Sequence, residues 1–488
     1  MSEQNQIRKP VLMVFFTIII LIAASYIPAK SSVFGVEIKE FDILGELKPE
    51  ESSSDEYEYD YEEMIEDDDF WNNDGSMIFE QNQINQASLG FESAAANLYG
   101  YFFTGENAVV DKVGSFTAQI KHEKLSGNTK QLKPFFDALK KSNKEQVRIA
   151  HYGDSIIGGD LITQNIRDNL QKKFGGDAAG FLAIASEDVK FRMTTKHTFD
   201  EDDWKTVKVY SNLRKLPIGI NTNVYTPKGK TAIEYEITNH FPRLNGFTEV
   251  KLYYSDAQAS SINYKFDNNK TEVVKLKEGS DVQELVLKSN GIAKKIRIEI
   301  TQKDQAYFYG VSLENGNGVY IDNFSMQGRS GATLVKIPQE QFEQFDKYLG
   351  YDLIVLQFGL NVIGKIEKDP KRYEKDMIEV VEHLQKSFPK TGIVLMGVND
   401  KGFKKGTEIT TDPSVKRLLS IQMNVVKKTN IAFWNLFEAM GGENSMEEWV
   451  KANPPLAWGD YTHFNNQGAE KVAELFSDAL IDAYNSNK

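Results

Sequence analysis

Four short stretches of this 488-residue chain hold residue types that can do chemistry together. Gly153-Asp154-Ser155 offers a hydroxyl nucleophile just after a short apolar run. A serine at a strand-to-helix turn points its hydroxyl toward solvent, and its own N–H, at the start of a helix, can face a developing oxyanion. Asp460-Tyr461-Thr462-His463 offers a base and an acid. A histidine base bonds the serine through one ring nitrogen and is oriented by a carboxylate through the other. Gly359-Leu360-Asn361 supplies a side-chain amide, and Met326-Gln-Gly-Arg-Ser-Gly-Ala supplies Gly328, with Gly331 competing for its role. A glycine lets the backbone approach a carbonyl closely, so its N–H can join the amide as an oxyanion donor. The set is a nucleophile (Ser155), a base (His463), an acid (Asp460) and three oxyanion donors (the Ser155 and Gly328 N–H groups and the Asn361 amide). Its chemistry is acyl transfer from an ester. Each stretch alone is commonplace; chain order and placement after strands join them.

The elements that must position these residues read as alternating strand and helix. Gln146 to Tyr152 reads as a buried strand, and Ile162, Ile166, Leu170 and Phe174 recur at helical spacing after it. Leu353 to Phe358, Gly392 to Gly397 and Ile431 to Asn435 read as further strands, with helices over 373–388, 415–428 and 468–484. Strands without polar alternation suit a sheet covered on both faces, so the expected fold is a three-layer α/β/α domain with a parallel sheet. Residues 191–320 read differently, as evenly spaced alternating strands such as 232–238, 249–255, 262–266, 283–288 and 294–301. This patterning predicts an inserted antiparallel β-sandwich, jelly-roll-like, inside the catalytic unit. Phe191, Trp204, Tyr253 and Tyr254 there are either core or a sugar platform.

The start of the chain reads as export machinery. Val11 to Ile27 is an apolar run preceded by Arg8 and Lys9, which predicts a membrane anchor or signal segment over 1–28 with the remainder exported. Residues 29–80 read as an acidic disordered tether. A helical region and the first part of the hydrolase domain are expected over 81–190, and the rest of that domain over 321–488. Between Pro49 and Asp111 lie seventeen Asp/Glu and no Lys/Arg, so the net charge of −13 belongs to one segment and the rest carries about +4. Nothing there suggests nucleic-acid binding. The absence of cysteine excludes disulfides, thiol catalysis and thiolate metal sites. No two of the six histidines stand at metal-site spacing, and the chemistry needs no metal or cofactor.

With these residues in hand, the sequence resembles the SGNH, or GDSL-type, hydrolases over roughly 146–190 and 321–484. The matching positions are Ser155, Gly328, Asn361, and Asp460 with His463. The resemblance implies the roles already read for them: nucleophile, two oxyanion donors, acid and base. Two departures stand out. The block around Gly328 is not a clean match, and Val362 follows Asn361 where many members carry Asp. The layout also resembles exported members that act on O-acetyl groups of cell-wall polysaccharide and carry an inserted β-sandwich similar to carbohydrate-binding modules. It implies an exported carbohydrate esterase removing O-acetyl groups, on the periplasmic or cell-surface side and held in the inner membrane by its N-terminal segment. The same residues serve an O-acetyltransferase working with a membrane-bound acyltransferase partner. A third possibility is a glycan-binding protein with a vestigial hydrolase domain.

Overall fold

The computed structural model describes residues 32–33, 36–37, 120–185, 191–212, 215–258, 260–301 and 306–487. The expected anchor (1–28), most of the acidic tether and residues 81–119 lie outside them. By its contacts the chain divides into Met1–Phe70 and Trp71–Lys488. In the first unit, Ser32–Val33 pairs antiparallel with Val36–Glu37. Among the described residues no helix is long and apolar enough to cross a membrane.

The second unit is mixed α/β. Its central sheet runs in the order Gly318–Ser325, Gln146–Gly153, Tyr351–Gln357, Gly392–Met396, Ala432–Trp434 and Ser126–Gly127. The first five are parallel and the last is a short antiparallel edge. These strands are apolar runs because both faces are covered. Lys133–Leu139, Thr163–Phe174 and Asn466–Ser486 pack together, with the Tyr484 ring against Phe136 and Phe174. Gln339–Leu349, Pro370–Ser387 and Pro413–Thr429 form the other set, with Phe342 against Phe388 and the Gln385 amide on the Thr429 carbonyl. The chain leaves the strand Gln146–Gly153 toward one edge and returns to pair on its other side. Crossovers to both sides of one strand make its C-terminal end a switch point, the place where open parallel sheets take their ligands.

Two antiparallel sheets complete the unit. One holds Gln283–Ala293, Phe247–Ser255, Tyr307–Glu314, Asn223–Pro227 and Trp204–Lys208, with Gly180–Ala183 also paired to Tyr307–Glu314. The other holds Glu272–Lys275, Ser261–Phe266, Lys295–Ile300, Thr231–Ile237 and Thr195–Phe199. Period-two patterning explains the second: Ile233, Tyr235 and Ile237 point inward while Glu234 and Glu236 point out. Ile233, Tyr235 and Ile298 share one buried cluster with Leu252, Phe308 and Val311 of the first sheet. Of the four aromatics weighed as a sugar platform, Trp204, Tyr253 and Tyr254 are buried. A ring spent on the core presents no face to a ligand, so those three are core and only Phe191 is half-exposed.

The seam between the central sheet and the β-rich region is apolar, with Val209, Ile220, Tyr253 and Tyr309 in the core of the central sheet, and it holds one buried ion cluster. Arg148, buried on the strand Gln146–Gly153, pairs with Asp322 at 2.9 Å on the adjacent strand and with Glu314 of the antiparallel sheet. Glu314 also meets Lys251 at 2.7 Å. Buried charges of this kind persist only when paired and hydrogen-bonded, and here each carboxylate has a cation.

Candidate active site

Three parallel strands end on one rung. Ser325 and Gln357 both lie opposite Gly153, with the Ser155 strand in the middle. Ser155, Gly328 and Asn361 therefore emerge two, three and four residues beyond a common level, at one end of the sheet. Gly153 must be glycine: a Cβ there would stand 2.9 Å from the Gln357 carbonyl oxygen of the neighbouring strand. The chain then turns into the short 3₁₀ segment Ser155–Asp160. Asp154 shapes that turn, its carboxylate accepting the Ile156 N–H at 3.1 Å. Burial pushes the Asp154 carboxyl up to about 6, against the pull of the Ile156, Gly359 and Leu360 N–H groups and of His463.

His463 arrives from the loop before the last helix. Its Nε2 lies 3.0 Å from Ser155 Oγ, and its Nδ1 lies 2.7 Å from Asp460 Oδ2. The other Asp460 oxygen accepts the N–H groups of Thr462 at 3.0 Å and His463 at 3.1 Å, so the carboxylate is locked to its own loop. Burial alone would raise the Asp460 carboxyl. The His463 imidazole and these N–H groups outweigh it and hold the carboxyl below its ordinary value, so it stays ionised. A carboxylate on Nδ1 fixes that nitrogen as the N–H and leaves the Nε2 lone pair for the serine proton.

The loop is clamped from the fourth strand. Asn399, just past Gly392–Met396, donates to the Thr462 carbonyl at 3.2 Å, and the Gly402 N–H donates to the Tyr461 carbonyl at 2.7 Å. Tyr461 has a φ of 53°, a left-handed conformation that these bonds hold.

Gly328 and Asn361 come together on the other side of Ser155. The Arg329 N–H donates to the Met326 carbonyl at 3.1 Å, closing a turn whose third residue is Gly328 at φ 70°. A type II turn takes a positive φ at that position, which is why glycine stands there. Asn361 donates its side-chain N–H to the Arg329 carbonyl at 3.2 Å, tying the two donor loops together. Gly331, the competitor, is buried with its Cα against the Phe358 ring, while Gly328 is exposed.

One constellation was not foreseen from the sequence. His151, buried two residues before Gly153, bonds Gln357 through Nε2 and Thr163 through Nδ1, both at 3.0 Å. Asn323 donates to the Thr163 hydroxyl and to the Ile157 carbonyl, both at 2.8 Å. These residues sit beneath the three strand ends and brace the nucleophile turn. Burial pushes the His151 imidazole down to about 4, so it is neutral near pH 7. The available signal was a polar residue near the end of two apolar strands, His151 and Gln357, with Asn323 among the polar residues that end the strand Gly318–Ser325.

No protein-family model matches this sequence, and no curated protein matches it. Among solved structures, a peptidoglycan O-acetylesterase superposes with a TM-score of 0.62 at 20% identity, covering 74% of this chain and 99% of that one. An acetyl xylan esterase gives a TM-score of 0.26 at 19% identity over 33% of this chain and 81% of that one. A family two carbohydrate esterase from Cellvibrio japonicus gives 0.23 at 11% identity over 60% and 98%. Only the first score carries weight, and at that identity it speaks for the fold alone: the chain shares the fold of that protein over 74% of its length.

Proposed function

We propose that this protein is a serine-dependent carbohydrate esterase that removes O-acetyl groups from a cell-wall or extracellular polysaccharide. The observation that carries the reading is the unbroken chain from Ser155 Oγ through His463 to Asp460, at 3.0 Å and 2.7 Å, at the switch point of a parallel sheet. The fold shared with a peptidoglycan O-acetylesterase supports the substrate class.

In this mechanism His463 Nε2 takes the Ser155 proton as Oγ attacks the acetyl carbonyl carbon. The oxyanion accepts hydrogen bonds from the Ser155 and Gly328 N–H groups and the Asn361 amide. Collapse breaks the carbon–oxygen bond to the sugar, and the imidazolium returns its proton to the leaving sugar oxygen. His463 next deprotonates water, which attacks the acetyl-serine. Acetate leaves and Ser155 regains its proton. Asp460 stays ionised throughout and stabilises the imidazolium.

The two antiparallel sheets are read as the inserted sandwich module, and the apolar N-terminal run as the segment that holds an exported enzyme at the membrane. A sugar hydroxyl replacing water in the second half would make the enzyme a transferase, accepting acetyl groups from a membrane-bound acyltransferase. The test is turnover of a chromogenic acetyl ester by the intact protein and by Ser155→Ala, followed by product analysis with a glycan acceptor. Free acetate as the main product supports the esterase; acetylated acceptor replaces it with the transferase. Undiminished turnover by Ser155→Ala refutes both.

A further inference from the structure

The Asn361 amide carries two N–H bonds in one plane. One is engaged by the Arg329 carbonyl at 3.2 Å, so the direction of the other is fixed by where that carbonyl sits. Arg329 also closes the turn that presents Gly328. A single residue's backbone thus sets both donors on this side of Ser155.

One contact on the Arg329 side chain comes from the β-rich region. Its guanidinium lies over the Tyr210 ring, 3.6 Å from the centroid, while the Lys208 ammonium stands farther off at 5.7 Å. Tyr210 belongs to the short turn Val209–Ser211. That turn is fixed in its own right: Val209 is buried in the hydrolase core, and its N–H donates to the Thr222 carbonyl at 2.9 Å. Two residues from Thr222, the Ile220 carbonyl accepts the hydroxyl of Tyr152 at 2.9 Å, and Tyr152 lies on the Ser155 strand. The contacts form a closed ring from the nucleophile strand through Tyr152, the 220–222 segment, Tyr210, Arg329 and Asn361 back to the site.

We propose that Tyr210 and Arg329 are positioning residues for the oxyanion side, with the aromatic face of Tyr210 holding the Arg329 loop so that the Asn361 and Gly328 donors stand at a set distance from Ser155. The β-rich region, which holds no catalytic residue, thereby takes part in turnover. The inference rests on the acyl-serine reading above. An interaction of cation–π type is sensitive to the ring and not to the phenol hydroxyl, which makes it testable by chemistry as well as by loss.

The experiment measures kcat and KM for a chromogenic acetyl ester with the full-length protein. Tyr210→Ala is expected to lower kcat about three- to tenfold with KM changed less than about twofold. Tyr210→Phe should restore the wild-type rate and Tyr210→Leu should not. In an Asn361→Ala background, adding Tyr210→Ala should cost clearly less than it does in the wild type, because only the Gly328 donor is left for it to position. Wild-type kcat in Tyr210→Ala, equal rescue by leucine, or full additivity with Asn361→Ala overturns the proposal. If Tyr210→Ala does not fold, Arg329→Gln carries the same cycle, since it removes the cation and keeps the backbone. Failure of the underlying reading shows separately, as undiminished turnover in Ser155→Ala.

Discussion

Two histidines lie at the same end of the central sheet, and their surroundings make them opposites. His463 sits half-exposed between a hydroxyl and an ionised carboxylate. His151 sits buried between a hydroxyl and an amide. Both have two partners at hydrogen-bond distance, so counting bonds does not separate them. The separation comes from the third group. Asp460 supplies a negative charge that can stabilise an imidazolium, whereas Gln357 supplies only a dipole, and burial holds His151 neutral. In the proposed mechanism His463 is the ring that carries the proton, while His151 keeps its place.

The widest gap between the two should appear on deleting each ring. Ser155→Ala and His463→Ala are expected to lower kcat by about 10⁴-fold or more; steady-state hydrolysis of an acetyl ester measures this. A similar loss in a His151 variant would break the contrast. Next in size is the charge itself. Asp460→Asn should cost about 10²–10⁴-fold in kcat while leaving the fold intact, because the amide no longer favours the tautomer the serine needs. Burst kinetics with active-site titration would show whether acylation carries the loss. Asn361→Ala should cost about 10²–10³-fold in kcat with little change in KM, as expected for a donor that matters mainly in the transition state.

His151→Gln should fall on the other axis. We expect about 1–3 kcal/mol of lost stability by denaturant unfolding and a change in kcat below about tenfold. The last difference is in acid. His151 titrates at about 4 in the fold against an ordinary 6.5, so below pH 6.5 the unfolded chain binds a proton that the folded chain refuses. Its contribution is complete above 6.5 and drains away as pH falls toward 4, about 3 kcal/mol in all. The unfolding free energy of His151→Gln should therefore decline less steeply than wild type across that window. Parallel curves would show that His151 is not held neutral.

The contact between Asp460 and His463 was legible because it is local. Asp460 and His463 stand three residues apart in one loop, and Gly153-Asp154-Ser155 follows its strand directly. Four of the five parallel strands were legible as apolar runs, whereas Gly318–Ser325, with its polar Asp322, Asn323 and Ser325, was not; helix ends shifted by a few residues where caps decide them, and Pro370–Ser387 starts three residues before the expected 373 because Asp369 caps it. The brace around His151 was illegible, since Thr163, Asn323 and Gln357 meet it only through strand order. Tyr210 on Arg329 was hidden for the same reason. Trp204, Tyr253 and Tyr254 show the reverse limit: aromatic strands look alike whether their rings face a core or a ligand, and only the packing decides.

The Arg148 seam has a consequence for how such a chain can change. A region joined through an apolar contact alone can be trimmed, and the exposed patch softened one residue at a time. Here Arg148 spans both partners, with Asp322 on its own sheet and Glu314 across the boundary. Cutting out the β-rich region removes Glu314 and Lys251 together, so Arg148 keeps Asp322 and the charge still balances, but Arg148 loses one of its two carboxylates and the pair opens to water. A different region in its place would have to bring a carboxylate to Arg148 and a cation to that carboxylate, so the two parts are matched by charge as well as by shape.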